Sequence, residues 1–334
     1  MIKNVVKEKT DGTLISLLKK LLIKRELALI TIIIIFSLAM DFRYSTFLSM
    51  GNLKATLIGM SADTIIAIGM CMLLITREID LSVGSTFALA GAITGLTLIS
   101  GWPVPLSIFA GILTGLVVGL INAFVIEKMK VNFFIATLGM QGIARGITVI
   151  LAEGGIAFLP KEFTWIGQAT FLGFQLPVWI MLVFIIISAI LLSKHRFFRQ
   201  LYYIGGNVKS AKLSGIDVTK VKFIIYILLG GLAGFAGVLS TARFGSAIST
   251  SGYGAELRVI AACVIGGCSL SGGEGSIIGI FFGVVFMSLI SSALVVANVS
   301  VYWQAIVSGL VLILAIALDT WIKKNRMRFQ VKSS

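Results

Sequence analysis

Long apolar runs separated by short polar interruptions make up most of this chain. A helix of roughly 20 apolar residues crosses the hydrocarbon core of a bilayer, because each residue rises about 1.5 Å and the core is about 30 Å thick. On that rule the pattern predicts about ten spans, at residues 26–44, 55–76, 84–101, 104–126, 132–151, 176–192, 221–242, 257–270, 275–297 and 301–321. The apolar core of the first span, Leu27 to Met40, is short. The eighth is short enough to be a broken or re-entrant helix, which is tolerated where protein surrounds it. The expected fold class is an all-α membrane protein, a polytopic bundle. Residues 1–25 form a basic N-terminal segment, 26–322 the transmembrane domain and 323–334 a basic tail.

The longest polar interruption, residues 193–222, carries Lys194, Arg196, Arg199, Lys209, Lys212, Lys220 and Lys222 against the single acid Asp217. It is too rich in Gly, Ser, Leu and Ile for a plain solvated linker. Asn207 to Ser214 has the makings of a short helix, with Asn207 as its cap and Gly215 just past its end. That is a surface element suited to contact.

Composition agrees with a membrane location. Of 334 residues, 57% are hydrophobic and 13% charged, against about 25% charged in a soluble domain. The net charge of +14 raises the question of nucleic acid, but the basic residues sit between spans, as the positive-inside rule requires. With the N-terminus inside, all 28 lysines and arginines fall on inner segments except Arg43, Lys54, Arg145, Lys161, Arg243 and Arg258. Both termini are therefore expected in the cytoplasm. The basic start lacks a small-residue cleavage site and reads as a retained first span. Cys71, Cys263 and Cys268 lie in apolar runs, fit no zinc spacing, and read as small buried hydrophobes.

No catalytic or metal constellation is found. The one histidine, His195, lies in the basic loop, and no HExxH, GxSxG or GxxxxGK[ST] pattern occurs. Any ATP used must bind another chain. Glycines at three- and four-residue intervals, such as Gly111, Gly115 and Gly119 or Gly230, Gly234 and Gly237, predict close helix packing. Polar groups inside spans are costly and usually face a bundle interior or water. Asp63, Asn122, Asn132, Gln141 and Gln304 are accordingly the candidate lining of a polar solute's path, with Arg145 nearby and Phe87, Phe133, Tyr302 and Trp303 as stacking surfaces. Helix–helix hydrogen bonding is the competing role. Asp80 is expected to cap the third span. Leu81 to Ser85 and Leu270 to Ser276 are similar Ser/Gly turns before spans three and nine, as in transporters with internal repeats.

These motifs converge on a family. Ile79-Asp80-Leu81-Ser82-Val83-Gly84-Ser85 resembles the I-D-L-S-V-G-S signature of ribose-type ABC transporter permeases. Gly205 to Ile216 resembles that family's G-G-N-x-x-A-A-x-x-S-G-I segment, Ala261 to Gly275 its A-A-V-V-L-G-G-x-S-x-x-G-G-x-G run, and Phe133 to Leu138 its F-I-A-T-L stretch. The resemblance implies a pair of permeases, identical or different, in the bacterial plasma membrane. It also implies two ATPase subunits that bind ATP and Mg, and an external sugar-binding protein. This chain would bind no cofactor and catalyse no reaction. By the same resemblance Gly205, Gly206, Asn207, Ala211, Ser214, Gly215 and Ile216 belong to the segment that couples to the ATPase, and Asp80, Leu81, Ser82, Gly84 and Ser85 to a signature turn and helix cap. The implied substrate is a monosaccharide, a ribose-like pentose first, with autoinducer-2 or another polyol in the same family. An ion-coupled secondary transporter is the alternative of another class. Two departures stand out. Arg77-Glu78 replaces the family's usual Gly-Gly, and Lys209-Ser210-Ala211 replaces acid-Ala-Ala. The second makes the docking segment more basic, which fits a dedicated ATPase or one half of a permease heterodimer.

Overall fold

The computed structural model describes residues 25–153, 155–300, 303 and 306–317. The basic tail, all but the last residue of the N-terminal segment, Tyr302 and Gln304 lie outside the described residues. In chain order the helices are α1 (Arg25–Arg43), α2 (Met50–Ile75), α3 (Val83–Ile99), α4 (Val104–Ala123) and α5 (Phe133–Ala152). Then come α6 (Lys161–Gln168), α7 (Leu176–Lys194), α8 (Arg196–Gly206), α9 (Val208–Leu213), α10 (Val218–Phe244), α11 (Ala255–Ile265), α12 (Ile277–Val296) and α13 (Ile306–Ala317). A π-helical turn, Phe124–Lys128, extends α4, and β1 (Thr170–Phe171) pairs antiparallel with β2 (Phe174–Gln175).

Six of these helices, α2, α4 with its π-turn, α5, α7, α10 and α12, are long and apolar enough to cross a membrane. Helices α3 and α13 are apolar but shorter. At 11 residues, α11 is about 16 Å long and falls short of a full crossing. It ends at Gly266, and a turn rich in glycine leads to α12, whose cap Ser276 accepts from the amide of Gly279 at 3.0 Å. Two parts of the chain fold differently from the pattern-based expectation. The first half of the basic loop is the amphipathic helix α8, and the segment after α5 holds α6 and the small hairpin. Neither has an apolar run long enough to register as an element against the spans around it.

The centre of the bundle is α10, with α2, α3 and α4 against it. From Thr64 to Ile75 every residue of α2 is buried, as an all-round apolar helix must be when protein encloses it. Helices α5 and α7 instead turn large side chains outward, including Ile135, Ile150 and Ile186, which suits contact with lipid tails. Lipid gives apolar helices no hydrophobic drive to associate, so close backbone contact has to supply it. The spaced glycines provide that contact. A Cβ at Gly115 would strike the Gly230 carbonyl and the Gly234 backbone, and one at Gly119 would strike the Tyr226 carbonyl.

Helix α10 joins two different ends of the molecule. At its start lies the basic loop. At its far end Gly167 packs on the backbone of Ala242 and Arg243, and Gln168 Nε2 donates to the Arg243 carbonyl at 2.9 Å. Substituting Gly115→Leu should push α4 from α10. Overpacking of this kind costs about 1–3 kcal/mol, so the thermal unfolding midpoint in detergent should fall by several degrees. An unchanged midpoint would contradict this packing.

Candidate functional site

The basic loop is a chain of capped helices. Asn207 Oδ1 accepts the amides of Lys209 and Ser210 at 2.9 and 3.1 Å, which starts α9. Its C-terminus closes in a Schellman pattern: Ile216 N donates to Ala211 O at 3.1 Å and Gly215 N to Lys212 O at 3.0 Å. That closure places Gly215 at φ +81°, a conformation glycine adopts without cost. Asp217 Oδ1 then caps α10 by accepting from Lys220 N at 2.9 Å. Ala211 is buried beneath the segment, while the apolar side chain of Leu213 is 90% exposed. A hollow of about 550 Å³ beside α9 is lined by Tyr202, Tyr203, Asn207, Ser210, Ser214 and Ile216.

Two distant turns fold onto this loop. In the turn between α2 and α3, Arg77 stands at φ +70° and its side chain reaches the end of α8. Its Nε donates to Gly205 O at 2.7 Å and its Nη2 to Gly206 O at 2.8 Å. The neighbouring Glu78 accepts Lys222 Nζ at 2.5 Å, tying the turn to the start of α10. From the α11–α12 turn, Gly273 N donates to Ile75 O at 2.9 Å and Gly275 O accepts Tyr202 Oη at 2.7 Å. Segments 75–82, 202–206 and 272–275, which supply three of the sequence motifs, thus meet at the loop end.

Asp80 is buried within the first turn. Its Oδ1 accepts Ser82 N and Ser82 Oγ at 2.7 and 2.6 Å, and its Oδ2 accepts Asn122 Nδ2 at 3.1 Å. The cap position of α3 is Ser82, not Asp80, because the carboxylate is spent on the turn and on α4 before it reaches the first amides of the helix. Burial pushes the Asp80 carboxyl above its ordinary value, while the bonds from Ser82 and Asn122 pull it back. Asn122 lies in this knot, with its Nδ2 also donating to Ser82 Oγ at 2.9 Å. Leu81 and Ser85 are buried alongside, and Gly84 lies against Gly252 and Glu256 with no room for a Cβ.

A second polar cluster lies at mid-height in the bundle. Arg258 of α11 grips Asp63 of α2 with two donors, Nε to Oδ2 at 3.2 Å and Nη2 to Oδ1 at 3.4 Å. The pair sits between two cavities of about 340 and 310 Å³ and lines both. Hydroxyl and amide groups line the first, from Asn52, Thr56, Ser288, Ser291 and Ser292. The second has Ser61, Phe87, Ser240 and Ser251. Behind them Gln141 Nε2 donates to Glu256 Oε1 at 3.0 Å, and Arg145 Nη1 holds the carbonyls of Ser249 and Ser251 at 2.5 and 2.8 Å.

Of the residues singled out as pathway lining, Asp63 faces both cavities, and Gln141 reaches the cluster through Glu256. Asn132 instead caps α5, accepting Phe134 N at 2.9 Å near the loop end. Arg258 and Glu256 had drawn no such assignment. Their signal was present, since both are charges at the mouth of a short apolar run. The three cysteines are buried, with Cys71 and Cys268 sulfurs 3.1 Å apart.

Long apolar helices packed backbone to backbone are the build of a multi-pass membrane protein. The chain belongs to the family described as branched-chain amino acid transport system / permease component, which matches residues 52–316. It is 37% identical over 278 residues to the ribose import permease protein RbsC of Escherichia coli, covering 82% of this chain and 87% of that one. It is 33% identical over 286 residues to the L-arabinose ABC transporter permease protein AraH of Azospirillum brasilense, covering 85% and 84%. To the autoinducer 2 import system permease protein LsrC of Salmonella choleraesuis it is 34% identical over 291 residues, covering 87% and 83%. No solved structure matches the chain.

The ion pair has a measurable signature. Removing Asp63 alone leaves Arg258 without its counter-charge among low-dielectric surroundings, which costs more than removing both. Thermal melts of Asp63→Ala, Arg258→Ala and the double variant should show a coupling of at least about 0.5 kcal/mol. Strictly additive losses would contradict a working pair.

Proposed function

We propose that this chain is the membrane-spanning subunit of an ATP-driven ABC importer for a monosaccharide in the bacterial plasma membrane. The observation that carries the proposal is the capped, basic, apolar-tipped α9, held on both sides by the turn after α2, through Gly205 and Gly206 before it and Lys222 after it. Such an element is suited to docking into a partner. The named relatives support an import permease, and two of them act on pentoses, so a ribose-like pentose is the first choice. The match to an autoinducer 2 permease supports a second reading, a furanose-like signal as cargo.

In this account about ten helices span the bilayer with both termini cytoplasmic. Two such chains, alike or different, sit on two ATPase subunits that bind ATP and Mg, and an external binding protein delivers the solute. ATP-driven closure of the ATPases moves α9. Only the hydrogen-bonded turn Ser214–Asp217 separates α9 from α10, the central helix, so its motion enters the core through a short link. The solute then passes the hydroxyl-lined cavities on either side of Asp63 and Arg258, whose polar groups replace its water. ATP shifts the equilibrium between inward- and outward-facing states only as far as the ATPases' differential affinity allows.

The test is Gly215→Val. A Cβ there meets nothing within 4 Å, so the change acts through backbone conformation alone. A left-handed β-branched residue costs roughly 1–2 kcal/mol. Proteoliposomes holding the permease with its ATPase and binding protein should take up labelled pentose with ATP, and vanadate should block uptake. The variant should insert normally and lose at least about tenfold of that uptake, the effect of a 1.4 kcal/mol barrier. Unchanged uptake by the variant, or uptake insensitive to vanadate, would overturn the assignment.

A further inference from the structure

The structure gives both Arg77 and Glu78 side-chain partners on the basic loop. Helix α8 ends at Gly206, and a helix leaves its last carbonyls without intrahelical donors. The guanidinium of Arg77 supplies donors to two of them, Gly205 O and Gly206 O, at 2.7 and 2.8 Å. Both bonds are charge-assisted, and a cation at a helix C-terminus also meets the negative end of its dipole. The very next residue is Asn207, the cap from which α9 hangs. Glu78 takes the other arm of the loop through Lys222, and that pair is largely shielded from water, with side-chain exposures of 9% and 13%. Two consecutive residues of one turn therefore hold the chain on both sides of α9.

The same turn carries the grip onward. Ile75 O, at the end of α2, accepts Gly273 N, and Gly272 packs against the Arg77 side chain. The 272–275 turn follows α11. Helices α2 and α11 carry Asp63 and Arg258, the ion pair that divides the two cavities. Both halves of that pair are thus connected, through one helix each, to the place where Arg77 holds the loop.

We infer that Arg77 and Glu78 are positioning residues, a clasp that transmits motion of α9 to the two helices carrying Asp63 and Arg258. This rests on the proposed role of α9 as the ATPase-coupling segment. Arg77→Gly is the informative variant, because glycine keeps the φ of +70° without strain while removing both donors. The clasp is read in the complete complex with ATPase and binding protein, through a cavity residue. Thr56→Cys places a thiol in the first cavity, where a membrane-impermeant maleimide reports its accessibility from outside.

Trapping the ATPase with vanadate should change the labelling rate at Thr56→Cys by at least about fivefold, within the usual range of coupling between sites. Arg77→Gly should reduce that change to less than about twofold with the ATPase still co-purifying, and Arg77→Lys should restore part of it. Glu78→Lys and Lys222→Glu should each impair the response and together restore it. This second arm decides the matter if Arg77→Gly fails to assemble. A full response in Arg77→Gly, or a charge swap no better than its single variants, would overturn the clasp alone. The absence of any vanadate response in the parent complex would overturn the importer reading, and the clasp with it.

Discussion

Helix ends leave backbone carbonyls without intrahelical partners, and turns must find partners for their own. Two helix ends and two turns of this chain solve that problem for one another. The end of α2 offers the Ile75 carbonyl to Gly273, the end of α8 offers two carbonyls to Arg77, and the α11–α12 turn offers the Gly275 carbonyl to Tyr202. Each turn is stable because the others are present. Glycine at 205 is part of the solution, since a Cβ there would collide with the Ile75 carbonyl and the Gly273 amide. The knot also fixes where the basic loop sits, and the proposed coupling depends on that position.

Above the knot the fold relies on a different source of cohesion. Helices α4 and α10 touch through Gly111, Gly115, Gly119, Gly230 and Gly234, so their backbones lie closer than larger side chains would permit. A rigid, closely packed α10 is well suited to carry displacement along its length. At the other end it meets α6 and the segment that bridges Ile156 to Ala247. Between these ends two polar pairs lie beside the cavities. Asp63 with Arg258 and Gln141 with Glu256 keep charge and amide groups satisfied beside cavities that remain open.

How much was legible in the sequence depended on the range of the physics involved. The cap at Asn207, the Gly215 turn and the glycine spacing are local or periodic, and the structure has each of them at the expected residues. Where partners are distant in the chain, the sequence is silent. Asn122 and Asp63 looked alike as polar residues in spans, yet Asn122 is buried against Asp80 and Asp63 faces open space. Arg258 could not be recognised as the partner of Asp63, nor Arg77 as the donor to α8, because each contact closes a separation of more than a hundred residues. Asp80 was expected to cap α3, but its oxygens serve Ser82 and Asn122. Helix α8 and the short hairpin escaped notice because their apolar content is modest beside the spans.

In the proposed function this polypeptide is a passage moved by a separate nucleotide-driven engine through its basic loop. The most direct measurement places the purified chain alone in sealed liposomes, imposes proton and sodium gradients, and follows labelled pentose. The account predicts no accumulation above the external concentration under either gradient. Uphill accumulation with no other protein present would contradict it.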